Sequence, residues 1–441
     1  MLLLPYCPSS RVCFAAVQPE KCSDSCRRNA DNCTLVVRRR VSNNGFLACL
    51  KHLTGDVMIR RHGAMFAVFL CVCFAAVGSA KSEEIRTVKI GIAAPLTGFS
   101  ASNGKDEENA ARLAFEEANA QGLVVGGAKI HFEIDGQDDA ADPKTAVLVA
   151  QRFVDDGVSG VIGHYNSGCS IAASSVYRRA GIPQISPTSS SPSYTARGYE
   201  TTFRTISNDD QMALLAANYS VGRLGAKRIA VIDDSTDYGT NLVTEYVKAI
   251  QKAGAQLVSW QYTTTTAIDF RALLTTIKGL NPDLVFYVGQ DVQAAGLAKQ
   301  MHQLGMKAKF MGEGGFTNEH FLQLAGQGAK HMYSWEYGLP RERMPRAAEL
   351  DAKLKARFGV GIVQFAPLAY DAAWVMINAM KAADSTDPQK VIDALHALSF
   401  EGVTGTVSFT RTGDLRNASA TLYQEQAGKW AVLGVERATA D

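Results

Sequence analysis

Two hydroxyl-rich stretches carry the plainest chemistry in this sequence. The first, Gly163-His164-Tyr165-Asn166-Ser167-Gly168, follows the β-branched run 158–162 and leads into a helical pattern; the second, Ser186-Pro187-Thr188-Ser189-Ser190-Ser191-Pro192, follows the run 182–185. Small hydroxyl residues beside a helix N-terminus suit a carboxylate, because the free N–H groups and the helix dipole attract an anion and the hydroxyls donate to it. Ser167 by itself reads equally well as a helix N-cap. A second hydroxyl loop at an adjacent strand end shifts the pair toward a site. If the anion also bears an ammonium, an acceptor is needed, and Glu313 in Met311-Gly312-Glu313-Gly314-Gly315 is a candidate among glycines that let backbone approach closely. The plain alternative for Glu313 is a solvated loop carboxylate. Tyr238-Gly239, after the run 228–233, reads either as a cleft-facing aromatic or as a helix start with a partly buried ring.

The same residues invite a nucleophile reading, Ser167 with His164 and an aspartate. His164 lies only three residues away on the same loop, and no strained strand-to-helix elbow exposes the serine, so a serine hydrolase is a remote alternative. The chain has no Walker A loop, no GxGxxG after a strand, no HExxH and no GxSxG elbow. His302, His320 and His331 lack metal-ligand spacing. The expectation is a protein without enzymatic activity, cofactor or metal.

Loops of this kind need sheets to hold them at strand ends. From residue 88 onward, β-branched runs alternate with amphipathic stretches: 88–93 then 109–120, 129–134 then 144–156, 158–162 then 171–180. A second series starts at helix 210–221 and continues through strands 228–233, 256–262, 283–288 and 310–311, separated by helices 240–252, 270–280 and 293–305. This alternation marks βαβ units and parallel sheets. Two doubly wound parallel-sheet α/β lobes in tandem leave a cleft between them, and ligands of open sheets bind beyond the carboxyl ends of the strands. Helices 346–358, 367–382 and 388–398 then precede an antiparallel finish over 405–409, 421–426 and 430–435.

The chain is 441 residues long with 46% hydrophobic and 20% charged residues, enough for a large core and two or three domain-sized units. Eight of its nine cysteines lie before residue 80, leaving Cys169. Residues 58–80 have the three parts of a secretory signal: Arg60 and Arg61, an apolar run from Ala64 to Val77, and Gly78-Ser79-Ala80 for the peptidase. That run is too short to span a bilayer, which takes about twenty residues. The 57 residues ahead of it show no apolar periodicity and read as a non-native upstream extension, with translation starting at Met58 or Met65. Cys22 and Cys26 have metal-like spacing, but no second half with histidines follows. Without residues 1–80, which hold ten Lys/Arg and four Asp/Glu, the net charge passes from +2 to about −4, arguing against nucleic acid. A DNA-binding regulator would place a helix-turn-helix ahead of Val88, where the signal-like segment stands.

The mature chain, from about 85 to 435, resembles the type I periplasmic binding proteins of the leucine/isoleucine/valine-binding class. The resemblance is carried by GIAAPLTG at 91–98, DDAADP at 138–143, VIGHYNSG at 161–168, GIPQISP at 181–187, TARGY at 195–199 and DDSTDYG at 233–239. It implies a bilobed protein whose chain crosses a three-strand hinge, with 85–207 plus 337–417 in lobe 1 and 208–336 plus 418–441 in lobe 2. It further implies a ligand carboxylate held at Ser167, Thr188 and Ser190, with Ser189 in the same loop, an ammonium held by an acid in the Glu313 loop, and an apolar wall including Phe365. Asn103, Tyr165, Tyr238 and Gln290 match further cleft positions. The implied function is capture of a branched-chain or related L-amino acid in the periplasm, by a monomer that delivers it to an ABC transporter permease; the alternative is a ligand-sensing receptor for an amide or amino acid signal. Three positions depart from the family's pattern. Its acid stands one residue later, where this chain has Gly314; its alanine-alanine-threonine loop is here Thr188-Ser189-Ser190; and the positions of its disulfide hold Ala141 and Asn166.

Overall fold

The computed structural model describes residues 84–438, so the expected upstream extension and signal peptide lie outside the described residues. The first part of the chain is β1 (Ile85–Ala94), α1 (Ala101–Gln121), β2 (Val124–Val125), β3 (Ala128–Asp138), α2 (Pro143–Asp155), β4 (Gly160–Gly163), α3 (Ser167–Ala180), β5 (Gln184–Ser186) and β6 (Thr202–Arg204). These strands make a six-stranded sheet in the order β2-β3-β1-β4-β5-β6, parallel except for β2. The chain then builds α4 (Asp209–Asn218), β7 (Arg228–Asp233), α5 (Asp237–Lys252), β8 (Gln256–Tyr262), α6 (Arg271–Gly279), β9 (Leu284–Val288), α7 (Asp291–Gln303), β10 (Lys309–Glu313), α8 (Glu319–Ala325) and β11 (Tyr333–Tyr337). It returns to the first lobe for α9 (Ala347–Phe358), α10 (Ala366–Ala382), α11 (Pro388–Ala397) and the small hairpin β12 (Ser399–Glu401) and β13 (Thr406–Ser408). Finally β14 (Ala418–Gln426) and β15 (Lys429–Ala438) add an antiparallel ribbon to the second sheet, whose order is β15-β14-β11-β10-β9-β7-β8.

Local chemistry explains most boundaries. Asp142 accepts from Thr145 N ahead of Pro143, and Asp387 accepts from Lys390 N ahead of Pro388, each pairing an N-cap with a proline whose missing N–H costs the first turn nothing. Thr236 caps α5 through Gly239 N, and that helix buries Leu242, Val243, Tyr246, Val247 and Ile250, a stripe at helical spacing. Strand β9 is buried at all five positions, as a central parallel strand covered on both faces must be.

Helices cover both faces of each sheet. In lobe 1, one core packs Ile90, Phe115 and Phe132 with Leu350, Met376 and Phe409, so the returning segment completes it. In lobe 2, Ala420 and Leu422 of the final ribbon join Ile229, Phe286 and Trp335. The chain therefore passes between lobes three times: after β6, after β11 and before β14.

The sequence reading missed β6, β11 and α8, each three to seven residues long, and too short to show a period. It also grouped 405–409 with the terminal strands, whereas β13 pairs with β12 in lobe 1 and only β14 and β15 enter the second sheet. Among the described residues no helix is long and apolar enough to cross a membrane.

One buried carboxylate fixes how the returning segment meets lobe 1. Asp106 on α1 accepts from four consecutive amides leading into α10: Val363 at 2.9 Å, Gln364 at 2.9 Å, Phe365 at 2.7 Å and Ala366 at 2.8 Å. Asp106→Ala strands those donors, each worth roughly 1–3 kcal/mol when left unsatisfied, so a loss of about 3 kcal/mol or more is expected in urea unfolding, with partial recovery in Asp106→Asn.

Candidate functional site

Where the lobes meet, a cavity of about 470 Å³ of empty space, part of it open to solvent, is lined by Tyr165, Asn166, Ser167, Gly168, Thr188, Ser190, Ile206, Thr236, Tyr238, Gln290, Gly314, Tyr337 and Phe365. Nearly every polar contributor stands at the carboxyl end of a parallel strand. Asn166 to Gly168 follow β4, Thr188 and Ser190 follow β5, Thr236 and Tyr238 follow β7, Gln290 follows β9, Gly314 follows β10 and Tyr337 ends β11.

Ser167 is the first residue of α3, and the N-cap position falls on Asn166, whose side chain makes no cap bond. The Ser167 Oγ accepts from Ser191 N at 3.3 Å, which leaves its hydroxyl hydrogen to donate into the cavity beside the unpaired amides of the first turn. Thr188 behaves differently. Its single hydroxyl hydrogen is shared between Glu107 Oε1 at 2.7 Å and Tyr165 O at 3.0 Å, so toward the cavity it offers a lone pair and no hydrogen for a carboxylate. Burial drives the Glu107 carboxyl well above its usual range, reinforced by the charges of Asp106 and Asp139 and opposed by the Thr188 bond.

Of the ten residues singled out in the sequence, Tyr165, Ser167, Thr188, Ser190, Tyr238, Gln290 and Phe365 come together on the cavity wall. Three do not. Ser189 turns into lobe 1, where its hydroxyl donates to Ser170 Oγ at 2.6 Å. Asn103 stands behind Tyr165, donating to its hydroxyl at 3.3 Å. Glu313, fully buried, ends β10 one residue before the lining position, which is Gly314. A Cβ at Gly314 would lie 2.5 Å from Gly289 O, and its φ is +131°, so this wall admits no side chain there.

Sequence reasoning overlooked Asn166, Ile206, Thr236 and Tyr337. Ile206 and Tyr337 lie on the first two crossovers, and the alternating Tyr333-Ser334-Trp335-Glu336-Tyr337 was the available strand signal for the second. The hydrolase alternative loses its geometry here. His164 is fully buried with Nδ1 on Asp139 Oδ2 at 2.7 Å and Nε2 on the Tyr177 hydroxyl at 3.0 Å, so both ring nitrogens are engaged away from Ser167.

Two hydrogen bonds clasp the lobes across the cavity mouth, Asn241 Nδ2 to Ser191 Oγ at 2.6 Å and Ser100 Oγ to Gln290 Oε1 at 3.1 Å. Nearer the crossovers, Gln364 Nε2 donates to Glu336 Oε2 at 3.0 Å. Glu336 also accepts from Phe316 N, Thr317 N and Ser334 Oγ, yet burial outweighs these bonds and pushes its carboxyl up to about 7.

Residues 87–429 match the family model described as periplasmic binding protein. The leucine-, isoleucine-, valine-, threonine-, and alanine-binding protein of Pseudomonas aeruginosa is 33% identical over 374 residues, 83% of this chain and 96% of that protein. Leu/Ile/Val-binding protein homolog 1 of Brucella suis is 33% identical over 362 residues, 82% of this chain and 96% of its own length. Among solved structures, the branched-chain amino acid transporter substrate binding protein LivJ of Streptococcus pneumoniae, in complex with isoleucine, superimposes with a TM-score of 0.72 at 27% identity, covering 80% of this chain and all of that one. These relatives are binding proteins, not enzymes.

Two substitutions test the wall and the clasp. Gly314→Ala forces a Cβ against backbone at positive φ and is expected to cost roughly 1–3 kcal/mol in thermal unfolding. Asn241→Ala removes one inter-lobe bond worth about 1 kcal/mol and is expected to raise the radius of gyration in small-angle scattering with the unfolding temperature nearly unchanged.

Proposed function

Since the chain belongs to the periplasmic binding protein family, we propose that it captures a branched-chain or related L-amino acid between its lobes and delivers it to an ABC transporter permease, as a monomer in the periplasm. The observation that carries this reading is Ser167: a hydroxyl with a free hydrogen, on the first turn of α3, opening into a cavity otherwise walled by Tyr165, Tyr238, Tyr337 and Phe365. A carboxylate seated there meets the positive end of the helix dipole and two kinds of donor. The aromatic rings offer apolar area to an aliphatic side chain, and Thr188, with its lone pair facing inward, suits a donor such as an ammonium.

Closure follows from the connectivity. Three crossovers restrict the lobes to a hinge motion, and a ligand touching both walls stabilises the closed form by its differential affinity for it. The names of the relatives, which speak of leucine, isoleucine, valine, threonine and alanine, support the ligand class.

The test is a thermal-shift screen of the twenty amino acids on protein stripped of copurified ligand by unfolding and refolding. At 100 times the dissociation constant, a ligand adds about 2.7 kcal/mol, so at least one aliphatic amino acid is expected to raise the unfolding temperature by several degrees. Ser167→Ala is expected to weaken that ligand roughly tenfold to a hundredfold, the worth of a hydrogen bond to a charged group. A flat screen across all twenty removes the amino acid reading.

A further inference from the structure

The cavity wall that lobe 2 presents holds no charged side chain among the described residues, yet two carboxyls stand directly behind it. Asp209, the first residue of α4, and Glu313, the last of β10, are both fully buried. The Tyr337 hydroxyl is the one side-chain partner recorded for Glu313 among the described residues, and Asp209 shares that same hydroxyl, with Ser190 beside it. Two buried carboxyls with one tyrosine hydrogen between them are costly to ionise together, so this pair calls for a counterpart.

Hydroxyls separate the two acids from the cavity. Tyr337 stands between them, donating to Asp209 Oδ1 at 3.0 Å and bordering Glu313. The Tyr238 hydroxyl is buried, adjoins Glu313 and the Tyr337 hydroxyl, and lies 3.0 Å from where a Cβ at Gly314 would stand. Ser190, also on the cavity wall, borders Asp209.

Few other charges face the pair. Asp209 faces Arg204 on β6 and its own neighbour Asp210, while Glu313 faces Asp209 and Glu336 on β11. Arg204 bonds to neither, because its nitrogens are taken by Ser189 O, Ser191 O, Thr195 Oγ1 and the Asp414 carboxylate. Burial lifts both acids, Asp209 to about 7 and Glu313 well above its usual range, with the neighbouring Asp209 charge adding to the rise in Glu313. Near neutral pH the empty site therefore holds at least one proton on the pair, since Tyr337 has a single hydrogen and gives it to Asp209.

We propose that Asp209 and Glu313 together read the ligand's ammonium through the hydroxyls of Tyr238 and Tyr337, and that arrival of the ammonium expels one proton from the pair to solvent. The inference rests on the amino acid reading above. In the bound state Tyr238 accepts an N–H from the ammonium and donates its own hydrogen toward Glu313, so the cation and the newly ionised carboxylate are joined through one oxygen. Charge balances: one cation enters the site and one proton leaves. The pair's proton affinity is raised in the empty protein and lowered by the bound cation, so binding strengthens as pH rises and weakens as it falls, by up to about tenfold per pH unit for one proton released.

The experiment is isothermal titration of ligand-stripped protein with L-leucine and with 4-methylpentanoate, its counterpart lacking the ammonium, in buffers of different ionisation enthalpy near pH 6.5. Leucine is expected to bind with release of about one proton, and 4-methylpentanoate more weakly with none. Glu313→Gln should abolish the release and weaken leucine roughly tenfold to a hundredfold while leaving 4-methylpentanoate unchanged. Tyr238→Phe should do the same to a smaller extent without altering the buried charge. Leucine binding with no proton exchange and no response to Glu313→Gln overturns this inference and leaves the amino acid reading standing. Binding of 4-methylpentanoate in the absence of any amino acid binding overturns both.

Discussion

A single buried guanidinium organises the ligand-facing half of lobe 1. Arg204 is fully buried on β6, and an arginine cannot escape burial by giving up its proton. Its terminal nitrogens donate to Ser189 O at 2.6 Å, Ser191 O at 3.0 Å and Thr195 Oγ1 at 2.7 Å, and its charge is paired with the Asp414 carboxylate, 2.9 Å from Nε. Those partners are the loop that carries Thr188 to Ser191 and the strand end leading into the third crossover, while Arg204 itself immediately precedes the first. The backbone repeats the link, with Arg204 N donating to Gly413 O at 3.0 Å. The hydroxyl loop therefore cannot drift relative to the crossovers without leaving a desolvated cation unpaired, which is how a short serine-rich loop comes to be rigid enough to aim individual hydroxyls.

The two walls of the cavity are unequal in kind. Lobe 1 provides the helix N-terminus and hydroxyls fixed by Arg204 and by the buried His164–Asp139 pair. Lobe 2 provides tyrosines, a glutamine and a glycine backed by carboxyls raised by burial. The positive end of a helix on one side and acids whose proton affinity burial has raised on the other make the two walls chemically distinct.

Much of this was legible in the chain. Strands 228–233 and 256–262 coincide with β7 and β8, because each is a β-branched or aromatic run bounded by a turn. The hydroxyl loops announced themselves by composition and by position after a strand. What composition does not encode is direction. Ser189 and Ser190 are chemically alike neighbours, yet one turns inward to Ser170 and the other faces the cavity, since extended backbone alternates its side chains. Likewise Glu313 looked like an acid in a glycine loop, but with Gly312 it completes a buried strand, and that puts the carboxyl behind the wall. Thr188 was readable as a hydroxyl, whereas its polarity depends on Glu107, eighty-one residues away. The three-residue β6 and the five-residue β11 were invisible for want of length, and the crossover residues Ile206 and Tyr337 were lost with them.

The interlaced path of the chain also dictates when the molecule can fold. Lobe 1 lacks Phe409 and Val407 of its core until the third crossover is reached, and lobe 2 lacks Ala420, Leu422 and the ribbon that covers the edge of β11 until the last thirty or so residues exist. One core of each half thus stays open until the chain is nearly complete, while the buried clusters drawn from 93–182 and 230–332 need no later strand. Topology therefore ties the final closure of both lobes to the last strands of the chain.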